Sequence, residues 1–294
     1  MSTPARLTAD VLQGPASILG ESPVWCDRRQ KLFYVDSRAP AARIYDPATG
    51  ETTSIPLPEI TGSLCLTTSD DLLVAMTRSI SVLRADGTLG PALAAPETDK
   101  PDNRFNDGRC DRAGRFIVGT MNDKARLPTG ALWQLQAGDC RHVADDIIVP
   151  NSIAFTPDDK LMYFADTYRH VIHVYDYDIG SGALRNRRLF SDMKGWKGRP
   201  DGSQIDAEGC LWNAEYAGGR VTRYTPDGRI DRVIELPVSQ PTSCTFGGRN
   251  FDELYITTAK QRLTPEQLAA EPHAGAVFVA RPGVCGLPEG RYAS

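Results

Sequence analysis

The chain has 294 residues, 24% of them charged, and a formal net charge of −4, with 33 Lys and Arg scattered among 37 Asp and Glu. That balance speaks against nucleic acid or an anionic membrane as the main partner. No apolar run approaches the ~18 residues of a membrane span, and the opening Met1-Ser-Thr-Pro-Ala-Arg-Leu-Thr-Ala-Asp10 lacks a leader pattern, so a cytoplasmic location is expected. Seven Cys without a C-x-x-C pair fit reduced thiols, and Cys65, Cys210 and Cys244 read as small buried hydrophobes within strand-like runs.

In chain order, residues 7–12 read as a strand, and six similar units follow. Their first strands are headed by Gly20, Gly62, Asn106, Asn151, Asp201 and Thr242, at intervals of 42, 44, 45, 50 and 41 residues. The first unit carries runs at 21–25, 31–36 and 42–46, with Asp46-Pro-Ala-Thr-Gly50 as a turn. The second carries 62–66, 72–76 and 80–83, the third 115–120 and 130–135 after Arg109, and the fourth 152–155, 161–165 and 171–175. The fifth opens on Arg199-Pro-Asp-Gly-Ser-Gln-Ile-Asp206 and continues at 210–215, 219–224 and 229–236. The sixth has 242–246, 253–258 and 275–280.

β-branched and aromatic residues dominate these runs, with Asp-Gly, Pro-Asp and Gly-Gly between them. One helix is expected, capped by Thr264 with Pro265 at its first position, as an insertion in unit six. A period of about 40–50 residues with four strands per unit is that of propeller blades. The expectation is a single domain over 1–294: an all-β, six-bladed β-propeller of four antiparallel strands per blade, closed by the N-terminal strand joining the last blade, which lacks an obvious fourth strand of its own.

In such a ring the heads of the first strands converge on one mouth of the central channel, which brings together Glu21, Arg104, Asn106, Asn151 and Asp201. Two carboxylates and two carboxamides at a narrow axis call for a cation, since unpaired buried charge is costly. The oxygen set suits Ca²⁺, Mg²⁺, Mn²⁺ or Fe²⁺ and tolerates Zn²⁺. Asp and Asn are ordinary turn residues, as in Thr225-Pro-Asp-Gly228, and taken singly each head residue reads as structural; their convergence carries the functional reading. No G-x-S-x-G, H-E-x-x-H, P-loop or EF-hand loop is present, and His170 and His173 have no metal spacing.

Gly20-Glu21-Ser-Pro-Val-Trp25, Asn103-Arg104-Phe-Asn106-Asp-Gly108, Pro150-Asn151-Ser-Ile-Ala-Phe155 and Arg199-Pro-Asp201-Gly202 occur in that order. Together they resemble the family of senescence marker protein 30 (regucalcin), gluconolactonases and related sugar lactonases, over nearly the whole chain. Tyr255-Ile-Thr-Thr-Ala-Lys260 with Gly275-Ala-Val-Phe278 resembles the bacterial pentonolactonase branch. The resemblance implies that Glu21, Asn151 and Asp201 bind one divalent metal and that Arg104 and Asn106 contact substrate.

The expected function is metal-dependent hydrolysis of an aldonolactone in sugar catabolism, a pentono-1,4-lactone such as L-arabinono- or D-xylonolactone ahead of gluconolactone. Asp201 is both ligand and the group that orients or deprotonates water, and Trp196 is a candidate pocket wall. The competing readings are a propeller esterase or phosphotriesterase and a non-catalytic calcium-binding scaffold. A monomer is expected, with a small sugar lactone as partner.

Overall fold

The computed structural model describes residues 4–293. Its strands form six sheets around a central channel, a six-bladed β-propeller. The innermost strands, in chain order, are Gly20–Cys26, Thr61–Leu66, Asn103–Cys110, Pro150–Phe155, Arg199–Ile205 and Pro241–Gly247. Each is followed by progressively more outward strands. In blade 1 these are Lys31–Asp36, Ala41–Asp46 and Glu51–Pro56, paired antiparallel in sequence order.

The burial pattern follows from that geometry. Inner strands are buried on both faces, as Thr61–Leu66 and Pro241–Gly247 are throughout, and therefore read as continuous apolar or small-residue runs. Outermost strands such as Glu51–Pro56 alternate between exposed and half-buried positions. The core lies in the wedges between adjacent blades. Val24, Phe33 and Val35 of blade 1 pack there with Leu64 and Val74 of blade 2. Cys65, Cys210 and Cys244 are buried, and all seven cysteines are free thiols.

Closure uses the N-terminal segment in two pieces. Asp10–Val11 pairs antiparallel with Phe278–Ala280 and supplies the fourth strand of blade 6, as the sequence pattern predicts. Ala5–Thr8 instead runs parallel to Ile230–Glu235 and becomes a fifth strand of blade 5. Residues 7–12 are thus divided between neighbouring blades rather than forming one strand of the last. The short helix Pro265–Ala270 carries the expected cap: Thr264 accepts from Gln267 N while the Gln267 side chain accepts from Thr264 N.

Beyond blade 6 the chain crosses the face opposite the strand heads. Gly286 N donates to Phe251 O, Ala207 N of blade 5 donates to Cys285 O, and Tyr292 is hydrogen-bonded through its backbone to Leu66 and Thr68 of blade 2. Glu289 enters that end of the channel. It accepts from Arg109 Nη1 at 2.9 and 3.1 Å, and also from Gln204 and Thr245.

Candidate active site

Each innermost strand slips register against its neighbour at one place. The slips fall between Glu21 and Val24, Thr61 and Ser63, Phe105 and Gly108, Asn151 and Ala154, Pro200 and Ser203, and Pro241 and Ser243. These are β-bulges, which bend a strand and re-aim its side chains. Ser22 and Ser152, just after Glu21 and Asn151, hold left-handed backbone at φ 49° and 57°. They are kept there by side-chain bonds across blades, Ser22 Oγ accepting from Leu64 N at 3.0 Å and Ser152 Oγ donating to Asp201 O. Gly202 is required after Asp201, since a Cβ there would lie 2.1 Å from Ser243 Oγ.

The five residues singled out in the sequence, Glu21, Arg104, Asn106, Asn151 and Asp201, all line one cleft at the mouth of the channel, enclosing about 530 Å³ of empty space open to solvent. Donor and acceptor accounting fixes both amides. Arg104 is donor-only, so Nη1 at 2.9 Å must face Asn106 Oδ1. Asn106 Nδ2 then donates to Pro150 O at 2.9 Å and to Asn151 Oδ1 at 3.3 Å. Thr167 Oγ1 donates to Pro200 O at 2.7 Å and therefore accepts from Asn151 Nδ2, also at 2.7 Å. The chain of bonds leaves Asn151 presenting its oxygen to the cleft.

Behind it, Asp123 takes Arg104 Nε at 2.8 Å and both Arg38 nitrogens at 2.9 and 2.7 Å. Burial would raise that carboxyl, but the two guanidiniums hold it well below the usual carboxylate range.

The carboxylates on the floor are in the opposite situation. Among the described residues no Lys, Arg or His nitrogen lies within 4.0 Å of Glu21 or Asp201. Burial, then the negative charge of Asp107, pushes the Glu21 carboxyl up to about 8, against a partial offset from Arg104. Asp201 is raised well above its ordinary value by burial, Glu21 and Asp107. Tyr216, in the same wall, is pushed up to about 12 by burial and the Asp201 charge, so its hydroxyl remains a donor.

Two carboxylates and a carboxamide oxygen held together without a countercharge fit a hard divalent cation. The set contains only two of the His, Cys, Asp and Glu types, and no trio of those types gathers among the described residues.

Asp107, Asp123, Thr167 and Tyr216 escaped the sequence reading. Asp107 stood inside the Asn103-to-Gly108 motif. Thr167 had a further signal, the repetition of a strand ending in Asp-Ser or Asp-Thr at Asp36-Ser37 and Asp166-Thr167. Both aspartates do the same job, accepting two successive backbone N–H groups that lead into the inner strand: Ile18 and Leu19 for Asp36, Ile148 and Val149 for Asp166. Trp196 does not line the cleft. It packs between blades 4 and 5 under the Arg220 guanidinium, 5.4 Å from the ring centroid. His170 and His173 also lie outside it, each with a buried, unpartnered Nδ1.

Residues 19–260 match the family model described as the SMP-30/Gluconolactonase/LRE-like region. The chain belongs to this family. A 6-deoxy-6-sulfogluconolactonase of Pseudomonas putida is 39% identical over 279 residues, covering 94% of this chain and 96% of the relative. Human regucalcin is 34% identical over 284 residues, covering 93% and 94%. Among solved structures, a calcium-binding protein, regucalcin, from Agrobacterium tumefaciens superposes with a TM-score of 0.94 at 31% identity, over 99% of both chains. Family members thus include named sugar lactonases, enzymes that open a cyclic ester, and a named calcium binder whose fold this chain shares closely.

Proposed function

We propose that the chain hydrolyses an aldonolactone to its aldonic acid in sugar catabolism, using one divalent ion held by Glu21, Asn151 and Asp201. The observation that carries this reading is the floor of the cleft: two carboxylates without countercharge beside a carboxamide oxygen that Asn106 helps to orient, facing donors from Arg104 and Tyr216. When bound, such an ion polarises the lactone carbonyl and acidifies a water.

Asp201 accepts the proton from the attacking water as its oxygen bonds to the carbonyl carbon; the ring C–O bond then breaks and the ring oxygen takes the proton back as a hydroxyl. Arg104, anchored through Nε by Asp123 and through Nη1 by Phe105 O and Asn106, keeps Nη2 to donate to a sugar oxygen.

The likeness to pentonolactonases rests on Tyr255 to Lys260 and 275–278. Tyr255, Ile256, Thr257 and Thr258 are buried within blade 6 and none lines the cleft. That likeness therefore concerns packing, and the 39%-identical relative, named for a gluconolactone, puts a six-carbon lactone ahead of L-arabinono- and D-xylono-1,4-lactone. Calcium leads among Ca²⁺, Zn²⁺, Mn²⁺, Mg²⁺ and Fe²⁺, following the relative named a calcium-binding protein.

The test is acid release in weak buffer on a lactone panel, with chelated protein reloaded with each ion and spontaneous opening subtracted. Metal-dependent opening that is lost in Asp201→Asn supports the reading. Paraoxon hydrolysis without lactone opening would replace it with an esterase or phosphotriesterase, and ion binding without turnover of any substrate would replace it with a calcium scaffold.

A further inference from the structure

The outer rim of the cleft has a character of its own. Tyr168 stands in it with three arginines from three other blades: Arg126 of blade 3, Arg199 at the head of blade 5 and Arg262 of blade 6. The Arg199 guanidinium carbon lies 5.1 Å from the Tyr168 ring centroid and that of Arg126 5.8 Å. Arg262 lines the same part of the cleft as the phenol; burial would raise that group, but Arg262 and the charges of Arg126 and Arg199 together pull it below its ordinary value.

Like charges gathered in one cleft repel unless something answers them. Asp123 is the carboxylate nearest Arg126, at 3.5 Å, and it is already taken by Arg38 and Arg104. Among the described residues no Asp or Glu oxygen lies within 4.0 Å of Arg199 or Arg262. Two of the three are moreover placed at a backbone cost, since Arg126 and Arg262 hold φ values of 55° and 61°, a region that ordinary side chains avoid. A turn needing only that conformation would be cheaper with glycine.

We propose that Arg126, Arg199 and Arg262, assembled around Tyr168, form a subsite for an anionic group carried on the carbon of the lactone farthest from its carbonyl, a sulfonate or a phosphate. Guanidinium forks match the oxygens of such tetrahedral anions, and stacking on a tyrosine holds the forks in place before the ligand arrives. The floor would bind the carbonyl end and the rim the charged end, so the two parts of the cleft read the two ends of one molecule. The substrate class becomes a six-carbon lactone bearing a terminal oxyanion. This rests on the lactonase reading above for the identity of the other end.

The experiment compares kcat/KM of metal-loaded protein on glucono-1,5-lactone, its 6-phosphate, its 6-sulfonate and the corresponding 6-carboxylate, for wild type, Arg199→Gln and Arg262→Gln. Beside it, calorimetry measures binding of 6-phosphogluconate against gluconate to chelated protein. The expected result is at least a tenfold preference for the 6-phosphate or 6-sulfonate over both neutral and 6-carboxylate lactones, residing in KM and falling with salt. Each substitution should cut that preference at least tenfold and abolish the difference between 6-phosphogluconate and gluconate.

If neutral lactones open and a terminal anion brings no gain, or the substitutions lower all four lactones equally, the subsite is overturned while the lactonase reading stands. If the 6-carboxylate is preferred, a carboxylate subsite replaces the tetrahedral one. If no lactone opens but 6-phosphogluconate binds through Arg199 and Arg262, the subsite stands and the hydrolase reading falls.

Discussion

The two ends of the channel handle negative charge in opposite ways. At the closed end, Glu289 is met by Arg109, Gln204 and Thr245, and every part of its carboxylate has a donor. At the open end, Glu21 and Asp201 share a burial of similar depth and have no cation within reach, with Asp107 adding repulsion from between the two ends. The ring can evidently neutralise a buried carboxylate when structure is all that is needed. Two of them left unanswered at one mouth are the charge that the proposed ion would complete.

The comparison can be broken most sharply at Asp201. Asp201→Asn should lower metal-dependent kcat/KM by roughly a thousandfold, as loss of a ligand that also takes the proton would. The same substitution should stabilise the chelated protein by about 1–3 kcal/mol, because it removes a buried charge with no partner. Thermal melting in chelator checks the second part, and a fall in stability there would mean that Asp201 has a structural partner. At the other end, Glu289→Gln should cost about 3 kcal/mol in urea unfolding by stranding Arg109, with metal affinity unchanged.

A finer test addresses the amide relay. Thr167→Val removes the acceptor that orients Asn151 and should weaken ion binding by about tenfold, the usual size for a group that aims a ligand. Titration calorimetry reads this directly, and an unchanged affinity would free Asn151 from the relay.

A separate test concerns pH. Because Glu21 titrates near 8 when folded and near 4.5 in its ordinary state, the folded chain holds the proton more tightly than the unfolded one. Stability of the chelated protein should therefore be highest below pH 4.5, as far as this group is concerned, and decline as pH rises toward 8. Added metal should remove that decline, which melting curves across the range with and without ion would show.

Much of this was readable before any coordinates. The six-fold recurrence survives in sequence because inner strands buried on both faces cannot vary far from small and apolar residues, and because the turns between them need Asp, Gly and Pro. The head residues Glu21, Asn106, Asn151 and Asp201 could be grouped since a ring converts equal spacing into convergence. What stayed hidden depends on partners rather than on period.

Ala5–Thr8 looks like any short strand, and only the free edge of Ile230–Glu235 draws it into blade 5. Arg126 and Arg262 sit in turns, where arginine carries no pattern. Glu289 follows a stretch broken by Pro and Gly, whose path across the channel is set by what it meets there. Gly290, for instance, lies so close to Asp111 O that a Cβ would come within 2.2 Å.

The bulges recur in all six inner strands, yet Thr61–Leu66 and Pro241–Gly247 place no head residue in the cleft. The aiming device is thus more general than the cleft: it offers six sockets, of which those of blades 1, 3, 4 and 5 place a side chain in the cleft. Gly62 is closed to any side chain, because a Cβ would lie 2.4 Å from Phe105 O. Thr242 already bears one, spent on a bond to Gly20 O and shared with Thr257. Neither of the remaining sockets is open: Gly62 admits no side chain, and the fully buried Thr242 side chain serves as a rivet between blades 6 and 1.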